Sequence, residues 1–399
     1  MKTDTLPPSN TSFSDSKSHY EILDALRGVA AIMVVVFHIL EAFSFGDHRK
    51  QIINHGYLAV DFFFLLSGFV ISHAYDDRWN TMTWQDFFKR RLIRLHPMII
   101  MGMIIGVIGF LSYTFPEVYT LSRDVSFGRV MLVMLIGFTL FPLPVSMDIR
   151  GWIEMHPLNG PAWSLFFEYI ANILYAFLLR KISNTVLAVL VALAGFALVH
   201  WAVTGPSGDL IGGWSLDPLQ FRIGLTRLLF PFLAGILLAR VSKPGYIKNA
   251  FVWCSLLLIL VLAFPRVGGD RLWLNGIYDS LSVIVVFPVI IYMGASGTIE
   301  GKGLLRIGRF LGDISYPIYI IHYPLIYIFT GWVIEDKIPL AEAWPVGLLV
   351  LVASLLIAYS SLKWYDIPVR KWLTERFMKK NKKAITNASG LPPTSNQNG

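Results

Sequence analysis

Leu23-Asp24-Ala25-Leu26-Arg27-Gly28-Val29-Ala30-Ala31-Ile32-Met33-Val34-Val35-Val36-Phe37-His38 is an apolar run carrying a guanidinium and an imidazole. Read as part of a segment over 22–42, it has the ~20 residues that cross a bilayer. Arg27 and His38 are eleven residues apart. A helix turns about 100° and rises about 1.5 Å per residue, so the two lie ~20° apart on one face and ~16 Å apart along the axis. Ionisable groups inside a span are costly to keep and are functional candidates for that reason. Two on one stripe suggest a polar track entering the membrane.

The rest of the chain extends this reading. Of 399 residues, 55% are hydrophobic and 15% charged, against about 25% charged in a soluble domain. Eleven apolar segments can be drawn, near 22–42, 57–75, 97–115, 127–146, 161–179, 185–203, 222–240, 249–265, 277–295, 313–333 and 344–364. The implied fold is all-α, a polytopic transmembrane helical bundle forming one membrane domain over 22–366. A polar N-terminus (1–21) and a basic tail (367–399), expected to be disordered, flank it. The run at 22–42 is too long and too charged for a cleavable signal and reads as an uncleaved anchor. The single cysteine, Cys254, lies in an apolar run, which excludes an intrachain disulfide or a cysteine metal site. The composition calls for no metal.

The net charge of +8 sits mainly in short loops and the tail, which reads as topology and not nucleic-acid binding. With a cytoplasmic N-terminus, alternate loops hold 22 Lys and Arg on the inside and 9 outside. That asymmetry places both termini in the cytoplasm and requires an even number of crossings. The expectation is ten full crossings, with one segment of the 97–146 region re-entrant or interfacial.

Counting residues from the outer surface gives each polar group a depth. His38, Asp61, Glu168 and Arg227 then share one outer layer on four spans, where they should face one another. Each also has a structural reading. Arg27 fits a snorkelling anchor, His38 an interfacial residue, and Asp61 a helix cap or a partner of Arg227. Ser67-Gly68 fits close helix packing, and His322 a satisfied packing residue. On the cytoplasmic side, Arg90, Arg91 and Arg94 can share a helical side that Pro97 helps to end. They fit either a topogenic cluster or a phosphate site.

Several of these stretches together resemble acyltransferase family 3, integral-membrane O-acyltransferases of bacterial surface carbohydrates. The resemblance rests on Leu23–Ala31 with His38, Gly56–Phe69, Arg90–Pro97, Trp163-Ser164-Leu165 with Glu168, and Ile314–His322. It runs in order over about 20–370. What it implies is transfer of an acyl group, usually acetyl from acetyl-CoA, to a hydroxyl of a carbohydrate or glycolipid, by a protein of about ten helices in the inner membrane. Its essential arginine and histidine carry over to Arg27 and His38. The expected layout puts the donor's phosphates at Arg90, Arg91 and Arg94, with Arg27 helping to hold it. His38 is the base on the acceptor hydroxyl, and Asp61 or Glu168 orients it. Arg227, Trp163, Ser67 and His322 are candidate acceptor contacts. The competing classes are a transporter or flippase, though no internal repeat is apparent, and a non-enzymatic scaffold.

Overall fold

The computed structural model describes residues 20–378, which fold as an all-α bundle without strands among them. The helices are α1 (Glu21–Glu41), α2 (Ala59–Tyr75), α3 (Trp84–Ser112), α4 (Phe127–Thr139), α5 (Ala162–Phe177), α6 (Asn184–Thr204) and α7 (Pro218–Val241). They continue with α8 (Ala250–Ala263), α9 (Leu272–Leu281), α10 (Phe287–Ala295), α11 (Lys302–Glu335), α12 (Leu340–Ser361) and α13 (Ile367–Phe377). A wide π turn at Ser282–Val286 joins α9 to α10, and another at Leu362–Asp366 joins α12 to α13.

Among the described residues, nine helical stretches are long and apolar enough to cross a membrane. The chain is a multi-pass membrane protein. The two shorter apolar helices are α4, of 13 residues, and α8, of 14. At about 1.5 Å per residue each is ~20 Å long, short of the ~30 Å hydrocarbon layer. The α8 stretch accounts for the difference between ten expected crossings and nine. In the ambiguous 97–146 region, α3 is the full-length helix and α4 the short one.

Two expected boundaries are corrected. The helical pattern of the arginine stretch does not end at Pro97. Thr83 caps α3 in a reciprocal box with Asp86, and the helix runs from Trp84 through Pro97. The proline costs one backbone hydrogen bond, which its buried position between long flanking turns tolerates. The C-terminal tail begins later than expected, since 367–377 continue α12 as helix; residues 379–399 and 1–19 lie outside the described part.

The bundle is organised around α1 against α11 and α2 against α7. Helix α2 approaches α7 so closely that a Cβ on Gly68 would lie 2.1 Å from the Phe232 carbonyl oxygen. A Cβ on Gly235 would lie 2.1 Å from that of Leu65. Small residues permit such contact between spans, where packing and not the hydrophobic effect drives association. Val189, Leu193 and Phe196 of α6 are more than half exposed, as suits a face against lipid.

One segment is irregular yet buried. Residues 154–161, just before α5, are buried without forming a helix. Asn159 anchors this segment by donating Nδ2–H to the Ile320 carbonyl in the middle of α11 (2.9 Å). Non-helical backbone at such depth is tolerated when protein covers it. This segment is a second stretch that does not span, in addition to the short α4 of the 97–146 region.

Candidate functional site

Helix α1 presents Arg27 and His38 on one face, and each has a distinct set of neighbours. His38, in the last turn, donates Nδ1–H to Glu41 Oε2 at 2.6 Å. A carboxylate only accepts, so in the neutral ring the proton lies on Nδ1 and Nε2 carries the lone pair. His322 of α11 stacks on His38 with ring centroids 5.6 Å apart and 26° between planes. His322 donates Nδ1–H to the Ile318 carbonyl (3.0 Å). Its Nε2 is buried and has no partner among the described residues. Tyr323 closes the group, its ring edge-on to His38 at 4.8 Å. Two imidazoles in the same tautomer thus sit side by side, each with an Nε2 lone pair and no protein hydrogen on it.

About three turns along α1, Arg27 donates Nη1–H to Asp24 Oδ1 (2.7 Å). Arg94 and Glu168 are its other charged neighbours. Glu168 of α5 is paired with Arg91 and accepts from Ser67 Oγ at 3.3 Å. Arg91 is buried and Arg94 exposed, so the expected arginine row is split between the bundle interior and its surface. One turn beyond Glu168, Asn172 is fully buried with neither Oδ1 nor Nδ2 engaged. Unpaired buried amides are rare in native proteins and call for a ligand or water.

Asp61 and Arg227 form a third group. Arg227 donates to Asp61 through Nη2 (2.6 Å) and Nε (3.2 Å), to the Gly212 carbonyl through Nη1 (2.8 Å) and to the Tyr57 carbonyl through Nη2 (2.6 Å). Its guanidinium also lies 5.2 Å from the Trp163 ring centre, a cation–π contact. Every nitrogen of Arg227 is engaged, and the Trp163 ring packs on Phe64 and Phe167. Arg227 therefore has no donor left to meet an acceptor. This group braces α2, α5 and α7.

The expected outer layer of four is therefore divided. Asp61 and Arg227 are together; His38 and Glu168 are not with them. His38 is oriented by Glu41, and neither Asp61 nor Glu168 touches it. The depth of Glu168 was misjudged because residues 154–161 carry the chain inward before α5 begins. The Ser67 contact places Glu168 six residues past Asp61 along α2, ~9 Å deeper.

Glu41 escaped the sequence reading although it stands three residues after His38, the spacing of side-chain neighbours on a helix. The buried segment also escaped it. There, Glu154 Oε2 accepts from Tyr327 at 2.5 Å, and Tyr327 packs on Tyr323 at 4.7 Å. Arg150 lies over the Tyr327 ring at 3.5 Å. Burial pushes the Glu154 carboxyl up to about 8, against the downward pull of the Tyr327 hydrogen bond and the Arg150 charge. Burial likewise pushes His156 down to about 3. Burial thus favours the neutral form of both groups.

The family model described as an acyltransferase domain matches residues 20–363. The chain belongs to acyltransferase family 3. The O-acetyltransferase OatA of Staphylococcus aureus (strain NCTC 8325 / PS 47) is 24% identical over 363 residues, 88% of this chain and 57% of the relative. A putative O-acetyltransferase of S. aureus (strain COL) is 23% identical over 370 residues, with the same two shares. Protein 2 in the picA locus of Rhizobium radiobacter is 34% identical over 161 residues, 39% of this chain and 80% of that one. This family member thus spans little more than half the length of the full-length relatives it matches. No solved structure matches it.

Proposed function

We propose that this acyltransferase moves an acetyl group from acetyl-CoA to a hydroxyl of a cell-surface carbohydrate or glycolipid, in the inner membrane and with both termini cytoplasmic, which requires the short α8 to make a tenth crossing beside the nine long helices. The observation that carries the proposal is the pairing of His38 with Glu41, which leaves a bare Nε2 beside the equally bare Nε2 of His322. His38 Nε2 takes the proton of the acceptor hydroxyl while its oxygen attacks the thioester carbon. The C–S bond breaks, and the imidazolium returns the proton to the leaving sulfur. Glu41 holds the ring in the required tautomer and balances the transient imidazolium, the role of the third group in a catalytic triad. His322 Nε2 accepts from a hydroxyl of the acceptor and so fixes its approach.

The donor reading is supported at the other end of the track. Arg91, Arg94 and Arg27, with Arg90 on the same helix as the first two, offer guanidinium groups suited to phosphate. The unengaged amide of Asn172 matches the secondary amides of a pantetheine arm, which needs donors and acceptors inside the bundle. The ~16 Å between Arg27 and His38 is then the length over which the arm carries its acyl group. The test is acetyl transfer from labelled acetyl-CoA by membranes containing the full chain, with His38→Ala as control. Transfer by the wild type and none by H38A is expected. Equal transfer by both would exclude His38 as the base.

A further inference from the structure

The acceptor needs more than one contact to be held against His38, and Asp61 and Arg227 are committed to each other. The buried segment before α5 offers a different group. Only one oxygen of Glu154 is used within the protein, Oε2, which accepts from Tyr327. Oε1 takes no hydrogen bond among the described residues. It shares a corner with the Tyr323 ring beside Gly160. A Cβ placed on Gly160 would lie 2.8 Å from Glu154 Oε1 and 2.6 Å from a carbon beside the Tyr323 hydroxyl-bearing carbon. The missing side chain at Gly160 is what lets both groups occupy that corner. Tyr323 in turn lies edge-on to His38 at 4.8 Å and to His322 at 5.8 Å. Glu154 Oε1 therefore stands one aromatic ring away from the paired imidazoles.

We propose that Glu154 forms a subsite for the acceptor, its Oε1–H donating a hydrogen bond to a second oxygen of the acceptor, across the Tyr323 ring from the hydroxyl taken by His38. This rests on the acyl-transfer reading above and adds the class of acceptor: a polyol with spaced oxygens, as around a sugar ring, and not an isolated alcohol. The electrostatics suit a neutral donor. Glu154 is faced by Tyr323 and Tyr327 of α11, by Arg150 and Asp148 of its own segment, by Tyr119 before α4 and by Glu41 of α1. The carboxylates of Asp148 and Glu41 oppose a third negative charge, and burial holds the Glu154 carboxyl up at about 8. A carboxylic acid kept neutral by its surroundings can serve as a hydrogen-bond donor at pH 7. Ionisation removes that proton, so the subsite works below pH 8 and fails above it.

The experiment measures labelled acetyl incorporated from acetyl-CoA into the carbohydrate fraction of membrane vesicles, across the neutral and alkaline range. The wild type, Glu154→Gln and Glu154→Leu are compared at equal abundance in the membrane. Gln is neutral at every pH; its oxygen accepts from Tyr327 and its amide N–H donates. The wild type is expected to lose activity along a one-proton limb centred near pH 8. E154Q should keep activity within several-fold at pH 7 and lose that limb, and E154L should fall more than tenfold at all pH. An E154Q profile that retains the limb, or an active E154L, overturns the subsite. No incorporation by the wild type contradicts the underlying function, and the subsite falls with it.

Discussion

Replacing Glu41 by Gln isolates the contribution of the carboxylate that orients His38. The substitution keeps size and an oxygen for the Nδ1–H but removes the charge that stands 2.6 Å from the imidazole. A hydrogen bond to a charged group contributes about 1.5–3 kcal/mol. The two side chains are 17% and 36% exposed, so solvent screening places the loss at the low end, about 1.5–2 kcal/mol. If that stabilisation is made in the transition state, where the imidazolium forms, the rate falls about 10- to 30-fold. The assay is single-turnover acetyl transfer at saturating acetyl-CoA, so that donor binding does not enter. E41Q on the His38→Ala background should cause no further loss, because residues that act as a unit are not additive. An E41Q rate within twofold of wild type, or an equal further loss without His38, would refute the pairing as part of the chemistry.

Other outcomes follow from the same contacts. Asp61→Asn strands Arg227, which is 1% exposed, and should cost about 3–5 kcal/mol, read as a large drop in thermal stability in detergent. Replacing both residues by apolar ones should recover much of it, and a D61N protein as stable as wild type would contradict the bracing role. Neutralising Arg90, Arg91 and Arg94 together should weaken acetyl-CoA binding; unchanged affinity with altered membrane topology would make them topogenic only. Glu154 binds its proton more tightly folded than unfolded, so stability should decline as pH rises from the ordinary carboxylate range to about 8 and then level off. Thermal inactivation of E154Q should lack that slope.

The helical bundle was legible in the sequence because each span must bury or shield its backbone within a single long apolar segment. The shared face of Arg27 and His38 followed from helical period alone. What composition could not convey was where the chain changes depth without a helix. Residues 154–160 fall between the apolar segments drawn at 127–146 and 161–179, yet they are buried and anchored on Ile320 by Asn159. Counting depth from assumed helix ends therefore put Glu168 beside His38, when it lies with Arg91 and Ser67. Partner choice was equally hidden. Asp61, Glu168 and Glu41 were all within reach of a linear argument, and only the packing of α1 on α11 and α2 on α7 decides which carboxylate meets which cation. The helical side of the arginine stretch was expected to end near Pro97 because the proline was given more weight than the Thr83 cap, which starts a helix long enough to pass through it.

The central claim is that His38, held by Glu41, transfers an acetyl group to surface carbohydrate. Mass spectrometry of surface carbohydrate tests it most directly, using cells that carry the wild-type chain, H38A at equal membrane abundance, or no copy. The account predicts an acetyl mass on the carbohydrate with the wild type alone, absent from the other two. Acetylation that persists with H38A, or that does not depend on the chain at all, would contradict it.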